Sequence, residues 1–158
     1  MGLFGPKQQM SIDRSILPDA AKNEIRAGRL PHINTDKIFL RNGEYCCYID
    51  KAILNVHVKK RITKRVGTSA PGLFKGDRIT GGYSKPIEYE EIEQQKGILY
   101  ITNKRVIFQA PKYAFDKQHR YLSSIAPFQN AVELQYGQAV YEMIVPDGDV
   151  VNRVLQLI

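Results

Sequence analysis

The segment Gly97-Ile98-Leu99-Tyr100-Ile101-Thr102-Asn103-Lys104-Arg105-Val106-Ile107-Phe108 constrains the fold more than any other stretch of the chain. Two apolar runs flank four polar residues, and Asn103 tolerates the backbone angles of a tight turn. The pattern predicts a β-hairpin in which Leu99, Tyr100, Ile101, Val106, Ile107 and Phe108 supply core, while Lys104 and Arg105 sit at the turn in solvent. A second hairpin is expected where Val132, Leu134 and Tyr136 meet Val140 across Gly137-Gln138, because Gly at the first central position suits a type II′ turn.

Other elements follow from period and punctuation. Leu54, Val56 and Val58 alternate with Asn55, His57 and Lys59, the signature of a strand with one buried face and His57 pointing out. Further strands are expected near 73–79, 86–93 and 119–124. Upstream, Pro18 opens and Gly28 closes a short helix whose thin stripe of Ala20, Ala21 and Ile25 reads as an arm packed on its own domain. The chain ends in Val150, Val151, Val154, Leu155 and Ile158 at helical spacing, with Asp147 as the cap. Short strands followed by one amphipathic helix predict a closed or nearly closed antiparallel sheet with a helical plug.

The twelve residues from Gly97 to Phe108 also resemble the central hairpin of GRAM and bacterial pleckstrin-homology-like domains, which carry G-x-L-Y-I-T-N-x-R-hydrophobic-hydrophobic-F. Asn42-Gly43-Glu44 before the first strand, Lys75-Gly76 and the terminal helix fall in matching order. The resemblance implies a mainly β (α+β) fold: a pleckstrin-homology-like antiparallel β-barrel with a C-terminal capping helix, spanning 41–158, preceded by an N-terminal helical arm at 1–40. It implies no chemistry, since such folds bind lipids, peptides and proteins alike.

Composition narrows the functional class. The 158 residues are 43% hydrophobic and 25% charged, which suits one globular domain with an appendage. No apolar run approaches a membrane span, the start lacks the apolar region of a secretion signal, and Pro6 stands where myristoylation wants Ser or Thr, so a cytoplasmic location is expected. Adjacent Cys46 and Cys47 point to opposite faces of a strand and cannot pair without strain; His32, His57 and His119 are scattered, so neither metal nor cofactor is called for. Glu91, Glu93 and Lys96 faintly match a metal-dependent nuclease, and Cys46 or Cys47 with His57 a thiol site, but an acidic strand face and buried thiols account for them, and the chain is read as non-enzymatic.

The formal net charge of +7 favours an acidic or phosphate-bearing partner. Lys59, Lys60, Arg61, Lys64 and Arg65 cluster at a strand end before a Gly/Ser/Pro-rich loop and are the candidate ligand-binding residues for an anionic lipid headgroup or phosphate at a membrane periphery. The bland reading is a solvated strand end whose lysines block edge pairing. Aromatics do not interleave this run, which argues against a nucleic-acid stacking platform. The alternative is a protein-interaction or homo-oligomerisation module that uses a strand edge or the N-terminal helix.

Overall fold

The computed structural model describes residues 12, 14–66 and 83–158, with side chains through residue 62 and again from residue 86. The strand expected near 73–79 lies outside them. Among the described residues the elements are α1 (Asp19–Arg26), β1 (Cys46–Val66), β2 (Tyr83–Thr102), β3 (Arg105–Gln109), β4 (Ala114–Gln118), β5 (Ser124–Pro127), β6 (Ala131–Tyr136), β7 (Ala139–Ile144) and α2 (Gly148–Leu157), with a 3-10 turn at His119–Tyr121. The strands form one sheet of order β4-β3-β2-β1-β7-β6-β5. Two meanders, β1 to β4 and β5 to β7, therefore join where β1 pairs antiparallel with β7 through Ile53–Ile144, Leu54–Met143 and Asn55–Glu142. No described helix is long and apolar enough to cross a membrane.

The chain divides into two compact units, Met1–Val56 with Gln94–Ile158, and His57–Glu93. In the first, the expected hairpin pairs Leu99 with Phe108 and Ile101 with Val106. Its six large apolar residues are all buried, on alternate faces of the sheet. Leu99, Ile101, Val106 and Phe108 join the main core, and Tyr100 and Ile107 pack with Ile38 and Cys46 in a smaller one. Asn103 does not adopt a left-handed backbone; instead its side chain accepts from the Tyr45 amide at 2.9 Å and donates to the Gly43 carbonyl at 3.0 Å, lashing the turn to the entry of β1. The Gly137-Gln138 turn is type II′, since Gly137 has φ +63° and Gln138 does not share the positive sign a type I′ turn needs.

The strand expected at 119–124 is not there. β4 ends at Gln118, the chain turns through His119–Tyr121, and pairing resumes only at Ser124. The break has a tertiary cause: a His119 ring nitrogen lies 2.7 Å from the Thr102 carbonyl, a contact that folds this segment back on the β2–β3 turn. β2 is longer than expected, absorbing 86–93 and the Gly97 run into one strand of 20 residues.

Two helices cover the main core. Asp147 caps α2 by accepting from the amides of Asp149 and Val150, and Val150, Val151 and Val154 are buried, with Leu155 partly so. α1 places Ala21 and Ile25 in the same core, with Leu17 just before it, and Arg26 reaches Asp147 at 3.0 Å, so the N-terminal helix packs on its own chain. At the start of α2, Gly148 packs against the chain between β5 and β6: a Cβ there would sit 2.0 Å from the Phe128 carbonyl oxygen and 2.3 Å from that of Ala131. Backbone must move to admit it. Gly148→Ala should therefore cost about 3 kcal/mol, against about 1 kcal/mol for Asp147→Ala, which removes the cap and the partly exposed pair with Arg26. Urea unfolding of the two variants checks the order, and equal midpoints would refute the close approach as a constraint.

Candidate functional site

Arg105 is buried, contrary to the expectation that it lies in solvent at the turn. As the first residue of β3 it points inward, where Nε donates to Glu44 Oε2 at 2.8 Å and Nη2 to Glu44 Oε1 at 3.2 Å. Nη1 donates to Asp116 at 2.5 Å, and Nη2 also donates to the Phe39 carbonyl. Glu44 is fully buried at its side chain and takes two more donors, the Thr102 hydroxyl at 2.6 Å and the Arg41 amide at 2.9 Å. Burial alone would raise the Glu44 carboxyl, but the Arg105 guanidinium, the Arg41 amide and the Thr102 hydroxyl outweigh it and hold the pKa at about 2. Both ions are thus charged and nearly saturated with partners, the condition under which a buried pair is tolerated.

Arg105 lines two clefts. One, of about 340 Å³, is lined by Arg41, Glu44, Asn103, Lys104, Arg105, Gln118, His119 and Arg120. Four cationic side chains meet one carboxylate there, and that carboxylate already belongs to Arg105. Arg41, Lys104 and Arg120 are exposed and have no ion-pair partner among the described carboxylates; Lys104 donates to the Asn42 carbonyl at 3.2 Å, and the Arg120 guanidinium lies 4.8 Å from the Tyr121 ring centre. Burial lowers the pKa of His119, more than its contact with the Thr102 carbonyl raises it, so the ring is neutral at pH 7 and positions the cleft wall without adding charge. The other cleft, of about 410 Å³, has Ile38, Phe39, Ile107, Phe108 and Phe115 among its lining and shares Arg41 and Arg105 with the first.

The basic run singled out from sequence sits in the second unit. There His57 Nδ1 lies 2.7 Å from Glu90, and Arg61 bonds Glu88 at 2.6 Å. Lys60 reaches Glu91 at 3.0 Å and Glu93 at 3.2 Å, and the pKa of its ammonium is raised by those two carboxylates. Lys59 is exposed, and the side chains of Lys64 and Arg65 lie outside the described residues. The structure therefore engages Lys60 and Arg61 with the acidic residues of the neighbouring strand, a cross-strand charge ladder. The cationic cleft was missed from sequence because Arg41, Lys104 and Arg120 are far apart in the chain; the one available signal was the Lys104-Arg105 pair at a tight turn.

The remaining candidates do not assemble a reactive site among the described residues. Glu91 and Glu93 both engage Lys60, and no described group of three or more His, Cys, Asp or Glu could hold a metal ion. Cys46 and Cys47 lie on opposite faces of β1, and burial pushes their thiols up to about 11 and about 12, so neither is a thiolate at neutral pH.

The buried pair sets an acid limit. Folding lowers the Glu44 carboxyl from its ordinary 4.5 to about 2, so the unfolded chain binds more protons between those values. The contribution, on the order of 3 kcal/mol, is complete above pH 4.5 and disappears as pH falls to about 2. Glu44→Gln should lower the urea midpoint at pH 7 and converge on the wild-type curve toward pH 2; a gap that stays constant across that window would assign the acid sensitivity elsewhere. Comparison of the chain with protein-family models, with curated proteins and with solved structures finds no match.

Proposed function

We propose that the chain is a non-catalytic binding module on a rolled, pleckstrin-homology-like sheet, and that it holds an anionic group in the cleft beside the β2–β3 turn. The fold reading is supported by the strand order β4-β3-β2-β1-β7-β6-β5 followed by one terminal helix, two meanders sharing the β1–β7 seam. The ligand reading rests on one observation: Arg41, Lys104 and Arg120 converge on a concave surface where the only carboxylate among the described residues is already neutralised. Cations held close without counter-ions repel one another, and an anion relieves that cost while accepting charge-assisted hydrogen bonds. The basic ribbon supports the same ligand class less well, because Lys60 and Arg61 would have to leave Glu91, Glu93 and Glu88 to meet it.

A second reading, a protein-interaction module, is favoured by the ribbon's own surface. Alternation along β1 and β2 puts Val58, Ile62, Ile87 and Tyr89 on the face that carries Lys60, and Ile62 and Ile87 are 52% and 39% exposed. α1 is less suited to that role, since Ala21 and Ile25 are consumed by the core.

Calorimetric titration with inositol hexakisphosphate separates the sites. Wild type and a Lys59→Glu/Lys60→Glu/Arg61→Glu variant should bind alike, and Arg41→Glu/Lys104→Glu/Arg120→Glu should weaken binding at least about tenfold. The reverse ranking moves the ligand to the ribbon, and no binding by wild type removes the anionic reading. For the second reading, light scattering should show concentration-dependent association that Ile62→Lys and Ile87→Lys abolish; a monomer at every concentration argues against a homo-oligomer.

A further inference from the structure

The two clefts beside Arg105 differ in character and share a wall, and this restricts what the anion can be. On the β3–β4 side the apolar lining on the sheet face that carries Arg105 and Asp116 is Ile38, Ile107 and Ala114. Above it stands Phe39, 84% exposed. Its position is enforced: the neighbouring Ile38 is buried against Tyr100 and Ile107, and the Phe39 carbonyl is bonded by Arg105, so the aromatic ring faces solvent at the rim. An apolar group lying against both the ring and this lining would withdraw them from water together. The acidic group nearby, Asp116, is taken up by Arg105. Arg41 and Arg105 line both clefts, so a ligand with its charge against Arg41, Lys104 and Arg120 has its remainder directed along an apolar trough. The trough's volume, about 410 Å³, is within the range of small-molecule sites built mostly of apolar walls with a few polar anchors.

We infer that the ligand is an amphipathic anion: a phosphate or carboxylate head in the cationic cleft, and a single aliphatic chain between Phe39 and the lining of Ile38, Ile107 and Ala114. The inference rests on the anion-binding reading above and adds the chain. Phe39 closes over the chain and Arg41 contacts the head, so the two ends of the ligand are read by different residues and can be tested apart.

The experiment is calorimetric titration of the full chain with ethyl phosphate, with octyl phosphate below its micellar concentration, and with octanol. Each methylene withdrawn from water adds about a factor of four, so octyl phosphate should bind at least tenfold more tightly than ethyl phosphate, and octanol without a head should not bind measurably. Phe39→Ser, at a position whose side chain carries no core packing, should bring octyl phosphate down toward ethyl phosphate and leave ethyl phosphate unchanged. Arg41→Glu should weaken both phosphates together. If octyl and ethyl phosphate bind wild type equally, the chain site is refuted and the anion cleft stands; if neither binds, both fall. Vesicles of anionic lipid provide the remaining arm: Phe39-dependent sedimentation with vesicles, without binding of monomeric octyl phosphate, would make this surface a bilayer contact and overturn the inference.

Discussion

A single guanidinium organises the loop, the turn and the strand that line the two clefts. Arg105 stands at the start of β3 and is bonded at once to Glu44 before β1, to Asp116 on β4 and to the carbonyl of Phe39 in the preceding loop. Removing an arginine and a glutamate from water costs several kcal/mol for each ion, recovered only when every donor and lone pair is met. That condition couples elements that backbone pairing alone would leave independent. The loop before β1 cannot move without breaking the Phe39 and Glu44 contacts, and the β2–β3 turn is held to the same loop by Asn103 and by the Thr102 hydroxyl on Glu44. Rigidity at this point is what allows two clefts to keep their walls.

Legibility from sequence follows the distance over which each interaction acts. The Gly97–Phe108 hairpin, the type II′ turn at Gly137 and the Asp147 cap are decided by residues within a few positions of one another, and pattern and turn chemistry read them well. Arg105 is the opposite case. At a polar turn beside Lys104 its local context says solvent, and the carboxylate that draws it inward is 61 residues away. The 3-10 turn at His119 escapes for the same reason, because its anchor is a carbonyl on β2. Alternation marks β1 only from Leu54 to Lys59, whereas Ala52, Ile53 and Leu54 are consecutive and all buried, so both faces of the strand are covered where it enters that stretch.

Charge illustrates how density along the chain differs from density in space. Lys59, Lys60 and Arg61 form the most basic described stretch, yet Lys60 and Arg61 meet the glutamates of β2 across the ribbon. The sequence shows an acidic strand face at Glu91 and Glu93; what it conceals is that this face and the basic run are neighbours across two strands. Exposed pairs of this kind add little stability each, so their main effect is to set strand register and to hold those charges locally. The surplus positive charge instead accumulates where three residues from three separate segments, Arg41, Lys104 and Arg120, are gathered by the folding of the loop, the turn and the 3-10 segment around Arg105.

The loop before β1 then acquires a meaning that neither its sequence nor its backbone suggests. Ile38 and Phe39 are neighbours of similar hydrophobicity, and one is buried while the other is almost fully exposed. Exchanging them would place a larger ring over Tyr100 and Ile107, but it is not size that keeps Phe39 outside; its carbonyl is committed to Arg105, and that commitment fixes which side chain turns inward. Exposure of the ring is thus a by-product of satisfying a buried ion pair. The same arginine that neutralises Glu44 presents an aromatic surface on one side and leaves Arg41 without a carboxylate on the other, so the apolar and cationic halves of the clefts have one structural cause. A ligand that used only one half would leave the other hydrated as before, whereas one that spans both is matched to the way the pair divides the surface.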